Sequence, residues 1–327
     1  MSATAVAVLQ QVERGSLDLD GPIARVLPEM ADLPVLDGFD DGGRALLRPA
    51  ATELTLRHLL THTGGCAYDF WNADVARYQQ LHDVPGIIAC QEVTLRNPLL
   101  RDPGSGWEYG PHIDIAGRVV ERVTGRTLED YFRDNVFGPL GMDSSGFAIG
   151  DRRPRLVGMN ARAADGTTDP MEFEIPQEPE FHMGGGGLYS TPDDYLRLLQ
   201  ALLRGGELDG ARVLDSATLE MAKGNHIGDL TVGVITTADP GASYDVDLLP
   251  GTTKKWSLLG MLNVEETPDD RSAGSLFWAG LSNCYFWVDW ERGHAGALFS
   301  QLLPFADPAV LEVFDRFENS VRGLQKG

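Results

Sequence analysis

The chain is poor in cysteine and in positive charge. Its three cysteines, Cys66, Cys90 and Cys284, are irregularly spaced over 327 residues. They form no disulfide framework and no zinc-ligand pattern, so reduced, partly buried thiols are expected. Lysine and arginine total 27 against 48 aspartates and glutamates, a net charge of −21. So acidic a surface argues against nucleic acid and anionic membranes as partners. No apolar run reaches the roughly 20 residues of a membrane-spanning helix. Met1-Ser2-Ala3-Thr4-Ala5 lacks the positive segment that opens a signal peptide, and a cytoplasmic location is expected. Repeats and low-complexity segments are also missing. What is present is a composition 43% hydrophobic and 23% charged, enough for one large or two intimate units with a sizeable core. The 38 glycines and 19 prolines imply many turns, which suits a mixed α/β chain better than a helical bundle.

Periodicity divides the chain into a mostly helical part, 1–200, and a sheet part, 201–327, within a single unit over 1–327. Val6, Leu9 and Val12 share one face of a helix over 3–14, stopped by Gly15. A short helix after Thr55 ends at Gly64-Gly65, and an aromatic loop follows with Tyr68, Phe70 and Trp71. Ile113, Ala116, Gly117 and Val120 form a helical face just after Tyr109. Thr127-x-x-Asp130 resembles a capping box, and that helix is expected to end near Gly138-Pro139. Thr191-Pro192-Asp193-Asp194 opens a further helix with Tyr195, Leu198, Leu199 and Leu202 on its buried face. Beyond residue 254 the pattern changes. Cys284, Phe286, Val288 and Trp290 alternate with Tyr285, Trp287 and Asp289 as a strand. Glu291-Arg292-Gly293 is a turn, and His294 to Leu303 returns as the partner strand. Asp307-Pro308 caps a last helix with Val310, Val313, Phe314 and Phe317 on one face.

Several local signals are weak. His58 and His62 stand four apart on a helix, a spacing that can bind metal, but no glutamate follows and no third ligand is evident, which favours structural hydrogen bonding. Gly184–Gly187 lacks the Gly-Lys-Ser/Thr ending of a phosphate loop and reads as tight packing. Gly280-Leu281-Ser282-Asn283-Cys284 fails the Gly-x-Ser-x-Gly elbow at its last position. Neither metal nor cofactor is implied. Tyr109, taken alone, reads as a core residue at a helix start.

In combination, segments spread over nearly the whole chain resemble the serine β-lactamase and penicillin-binding-protein superfamily. The similarity points to the β-lactamase-related hydrolases of the family VIII esterase and statin-type acyltransferase branch. The segments are Leu17-Asp18-Leu19-Asp20-Gly21-Pro22, Leu54 to Gly65 (LTLRHLLTHTGG), Leu140-Gly141-Met142, Gly184 to Tyr195 (GGGGLYSTPDDY) and Gln301 to Pro308 (QLLPFADP). The resemblance implies a β-lactamase/transpeptidase-like α+β fold, an antiparallel sheet flanked by helices plus a helical domain. It also implies acyl transfer to or from a small-molecule ester through an acyl-serine. Trp107-Glu108-Tyr109-Gly110-Pro111 resembles the box whose tyrosine activates the serine, with Pro111 where many relatives carry asparagine. Trp278-Ala279-Gly280 resembles the strand lining the site, so that Gly280 and Leu281 would frame the oxyanion hole. Tyr68, Phe70, Trp71 and His182 would line the acyl pocket, and His112 is a further candidate.

The nucleophile box is the part that does not match. A serine hydroxyl needs a neighbouring base, and a lysine or tyrosinate serves only when positive charge and desolvation depress its pKa. The family supplies Ser-x-x-Lys just ahead of the segment equivalent to Thr4–Gly15. An ungapped count from Gly15 places the lysine at Met1 and the serine three residues earlier. The family's N-terminal helix and first two strands likewise have no counterpart here. Thr252-x-x-Lys255 has the spacing but sits in a sheet-entry segment. The resemblance therefore leaves two expectations: an acyl-transfer site whose Ser-x-x-Lys lies outside these residues, or a non-catalytic scaffold that binds a ligand or partner. Oligomeric state is not legible.

Overall fold

A computed structural model describes residues 1–268 and 271–323. The first helix, α1 (Ser2–Glu13), is buried all round from Ser2 to Gln11 and forms the centre of the helical part. A hairpin of β1 (Val35–Phe39) and β2 (Ala45–Arg48) follows. Helix α2 (Leu56–Leu60) is closed by a capping box in which the Thr55 side chain accepts from the His58 N–H and the His58 ring accepts from the Thr55 N–H. His58 thus takes the place usually held by glutamate, in agreement with the hydrogen-bonding role expected of it. Next come α3 (Ala73–His82) and α4 (His112–Thr124), the latter ending at Gly125 with φ +66°. Helix α5 (Leu128–Phe132) opens on the Thr127 cap, runs through one wider-coiled turn at Arg133–Phe137, and finishes in α6 (Gly138–Leu140).

Two short strands, β3 (Met159–Arg162) and β4 (Thr168–Met171), precede α7 (Pro192–Leu203), whose Thr191 cap accepts from the Asp194 N–H. A ribbon of β5 (Glu207–Leu208) and β6 (Ala211–Arg212) and a helix α8 (Ser216–Ala222) complete the approach to the main sheet. That sheet is antiparallel. It is built from β7 (Lys254–Trp256), β8 (Met261–Asn263), β9 (Leu276–Gly280), β10 (Cys284–Asp289) and β11 (His294–Leu298), in spatial order β11-β10-β9-β8-β7. A last strand, β12 (Leu302–Leu303), pairs in parallel with β3 and so ties the end of the chain back to its middle. Helix α9 (Pro308–Gly323) closes the fold.

The strand alternation in β10 sorts its side chains between two covers. Phe286 meets Tyr195 of α7 at 5.5 Å between ring centroids, while Tyr285 and Trp287 meet Phe314 of α9 at 5.1 and 5.6 Å. Both faces are therefore packed. Two expectations are corrected. The strand read over His294–Leu303 breaks after Leu298, and Leu302–Leu303 leaves for β3. The apolar face of α9 packs inward at Val310, Phe314 and Phe317, whose ring meets Trp287 at 5.5 Å, but Val313 is 53% exposed. The inner positions below Phe314 are Glu318 and Arg322. Glu318 pairs with Arg271, each side chain 2% exposed, so the inner face of the helix carries a buried ion pair.

Candidate active site

Tyr109 lies where the helical part meets the sheet. The loop before it is anchored by the Glu108 N–H donating to the His62 carbonyl at 2.9 Å. The turn into α4 passes so close to the Cys66–Ala67 backbone that a Cβ on Gly110 would lie 2.5 Å from the Cys66 oxygen. Glycine is required there. From across the interface, the Trp278 indole N–H of β9 donates to the Tyr109 oxygen at 2.9 Å. The Tyr109 ring centre is 4.4 Å from His62, 4.8 Å from Trp278, 5.3 Å from Trp71 and 5.6 Å from Tyr68. Phe70 stacks on Tyr68 at 5.1 Å and packs on Trp71 at 4.5 Å. The structure thus brings together five of the residues singled out from the sequence: Tyr68, Phe70, Trp71, Tyr109 and Trp278. Gly280 ends the same strand as Trp278, and Leu281 follows in the turn; both are half-buried. His182 stacks instead on Phe147 at 4.8 Å, and its ring is not one of those packed on Tyr109.

Burial raises the Tyr109 phenol above its ordinary value, the bond from Trp278 lowers it, and the charge of Asp114 raises it further. The effect is the opposite of the depression a tyrosine base requires. The Thr252-x-x-Lys255 spacing has no catalytic geometry, because the Lys255 ammonium donates to the carbonyls of Gly228 and Leu230 at 2.8 and 2.7 Å. The first turn of α1 reaches the same region. Ser2 Oγ donates to the Leu259 carbonyl at 3.2 Å and Thr4 Oγ1 to the Gly184 carbonyl at 2.6 Å. The Met1 amine is buried, which lowers its pKa to about 6, while Asp114 acts to raise it.

Two polar arrangements were not legible in the sequence. His62 Nδ1 and His112 Nδ1 are 3.1 Å apart, and the Cys66 N–H donates to His112 Nε2 at 3.2 Å. An Nε2 that accepts must leave its proton on Nδ1, so His112 donates to His62 and both rings are neutral. Burial pushes both down, His112 to about 3. The pair His62–His112 therefore replaces the i, i+4 pair His58–His62 as the meaningful histidine relation. Among the described residues, no group of three or more His, Cys, Asp or Glu could hold a metal ion. The second arrangement is Asp114 in the first turn of α4, fully buried and accepting from the Tyr68 O–H and the Gly185 N–H. The available signal was an acid three positions before Gly117 on an otherwise apolar face.

Comparison with known proteins identifies a family and a fold. The family described as Beta-lactamase matches residues 2–317. Monacolin J acid methylbutanoyltransferase from Aspergillus terreus is 33% identical over 341 residues, covering 97% of this chain and 79% of that protein. Lovastatin esterase from Penicillium rubens is 31% identical, covering 97% of this chain and 82% of its own length. A mutant of simvastatin synthase from Aspergillus terreus superposes over 100% of this chain and 81% of its own, with a TM-score of 0.85 at 29% identity.

Proposed function

The chain belongs to the β-lactamase family, and from that membership we propose that the aromatic cluster at Tyr109 is an acyl-transfer site for small esters. The observation that carries this reading is the Trp278–Tyr109 hydrogen bond, which joins the tyrosine turn to the site strand inside an aromatic cluster. Tyr68, Phe70 and Trp71 form an apolar wall suited to an acyl chain. Relatives named for methylbutanoyl transfer and for lovastatin hydrolysis support a short acyl group. In this scheme a serine oxygen attacks the ester carbonyl and the alcohol leaves. Water or a second alcohol then takes the acyl group. Tyr109 passes the proton at each step, and the N–H groups at Gly280 and Leu281 hold the oxyanion.

The nucleophile is assigned to a Ser-x-x-Lys that these 327 residues do not contain. The first turn of α1 lies beside Gly184, Leu259 and Asp114, and its residue 1 is methionine where the family would carry the lysine. Such an ammonium would also supply the positive charge that the Tyr109 phenol lacks. The same lack favours a second reading, a scaffold that binds an ester or a partner without turning it over. Both readings predict that a fluorophosphonate probe leaves the 327-residue chain unlabelled; stoichiometric labelling would show a nucleophile within it. An in-frame Ser-x-x-Lys in the DNA upstream of codon 1 would support the catalytic reading. An in-frame stop codon upstream, with no such box between it and codon 1, would leave the binding scaffold.

A further inference from the structure

Asp114 has no part in the acyl transfer outlined above, yet it is 0% exposed beside Tyr68 of the aromatic cluster. A carboxylate is retained in an apolar interior only where donors hold it. Both of its oxygens are held. The Gly185 N–H donates to Oδ1 at 2.8 Å and the Tyr68 O–H to Oδ2 at 3.0 Å. The fit leaves no room for a side chain on the loop, since a Cβ at Gly185 would lie 2.7 Å from Asp114 Oδ2. One residue earlier, the Gly184 carbonyl accepts from Thr4 of α1. On the other side, Tyr68 stacks on Phe70 and meets the Tyr109 ring edge-on. A single carboxylate thus links three segments remote in sequence: the aromatic loop, the helix that begins behind Tyr109, and the glycine loop.

We propose that Asp114 is the positioning residue of this site, fixing the Tyr68 wall and the Gly185 loop to the helix behind Tyr109. An apolar wall without that anchor could swing on the Tyr68 side chain. With it, the acyl group meets a surface of fixed shape. The selection of the acyl group rests on the acyl-transfer reading; the anchoring itself does not. The titratable groups around Asp114 are the Tyr68 and Tyr109 phenols, the Cys90 thiol and the Met1 amine. Burial keeps the phenols and the thiol neutral through the neutral range. Burial likewise raises Asp114, to about 6.

The test uses the 327-residue chain labelled with 15N-glycine. In the unmodified chain the Gly185 amide proton should shift upfield as pH falls through the titration of Asp114. In Asp114→Asn, which keeps an acceptor for Gly185 and a polar group for Tyr68, that shift should vanish. The Met1 amine titrates in the same range, and because Asp114→Asn leaves it in place, a shift that persists there belongs to the amine. Tryptophan fluorescence then reads the binding of butyl butanoate. Asp114→Ala and Tyr68→Phe should each weaken it about ten-fold, and the double variant no further, because both break the bond between Tyr68 and Asp114. A Gly185 amide indifferent to pH in the unmodified chain, a shift that persists in Asp114→Asn, or additive losses in the double variant would each overturn the proposal. Failure of the unmodified chain to bind any ester would sink the acyl-site reading, while the amide titration would still decide the role of Asp114.

Discussion

Single residues at this site carry opposite pH signatures. His112 is held near 3 in the folded chain against an ordinary 6.5. Between those values the unfolded chain binds a proton that the folded chain refuses. Stability from this residue is therefore complete above about pH 6.5 and declines as pH falls toward 3. Asp114 runs the other way, its folded value of about 6 lying above the ordinary 3.8. Its contribution is complete below 3.8 and is lost as pH rises through 6. The two overlap between pH 4 and 6 and partly cancel, so the native pH curve alone does not separate them. Substitution does. Urea midpoints for His112→Asn should fall less between pH 7 and 4 than those of the unmodified chain, while those for Asp114→Asn should fall more. Equal pH slopes in all three proteins would contradict the buried neutral histidine pair. Neither residue was legible as a partner in the sequence. The spacings 62 to 112 and 68 to 114 follow no local period, and only the fold brings those side chains together. Tyr109 and Trp278 were legible because their neighbours resemble a family, not because any spacing links them.

At the scale of elements, the helices were read correctly where local chemistry defines them. Thr127 and Thr191 cap their helices through the expected N–H groups, and Gly125 and Gly293 turn the chain with φ of +66° and +71°. The sequence misled where a tertiary partner decides. Four apolar residues predicted the inner face of α9; Val310, Phe314 and Phe317 do pack inward, but Val313 is exposed and Glu318, paired with Arg271, takes an inner position. Hydrophobic periodicity cannot anticipate a glutamate on the inner face. The strand after Gly293 was overextended for a similar reason, since Leu302–Leu303 are apolar but satisfy β3 rather than β10. The exposed Val313 and the buried Glu318 give a direct prediction. Val313→Lys should change stability by no more than about 0.5 kcal/mol, as for an exposed position. Glu318→Ala should cost roughly 3–5 kcal/mol, because it strands a buried guanidinium. Guanidinium denaturation of the two variants measures both, and the reverse ranking would restore the face read from the sequence.

For the whole molecule, the candidate site is also a seam. The helical part and the sheet part meet through the Trp278 indole on the Tyr109 oxygen, the Trp256 indole on the Leu60 carbonyl at 3.1 Å and the β12–β3 pairing, besides the packing of α7 on β10. A site assembled this way exists only while the two parts are docked, so loss of docking and loss of the site are one event. That argument predicts energetic coupling across the seam. Tyr109→Phe keeps the ring contacts but leaves the Trp278 N–H buried and unpaired, at about 1–3 kcal/mol. Trp278→Phe removes the donor and part of the ring, adding a cavity cost that is independent of the hydrogen bond. In the double variant the orphaned N–H no longer exists, so the combined loss should fall short of the sum by about 0.5–3 kcal/mol. Urea denaturation of the four proteins closes the cycle, and the transition should stay single and coincident by near- and far-ultraviolet circular dichroism in each. Strict additivity would mean that the two groups do not share a bond in solution. A separate early transition in either single variant would mean that the helical part and the sheet part hold together elsewhere, and that Tyr109 lines the seam without helping to close it.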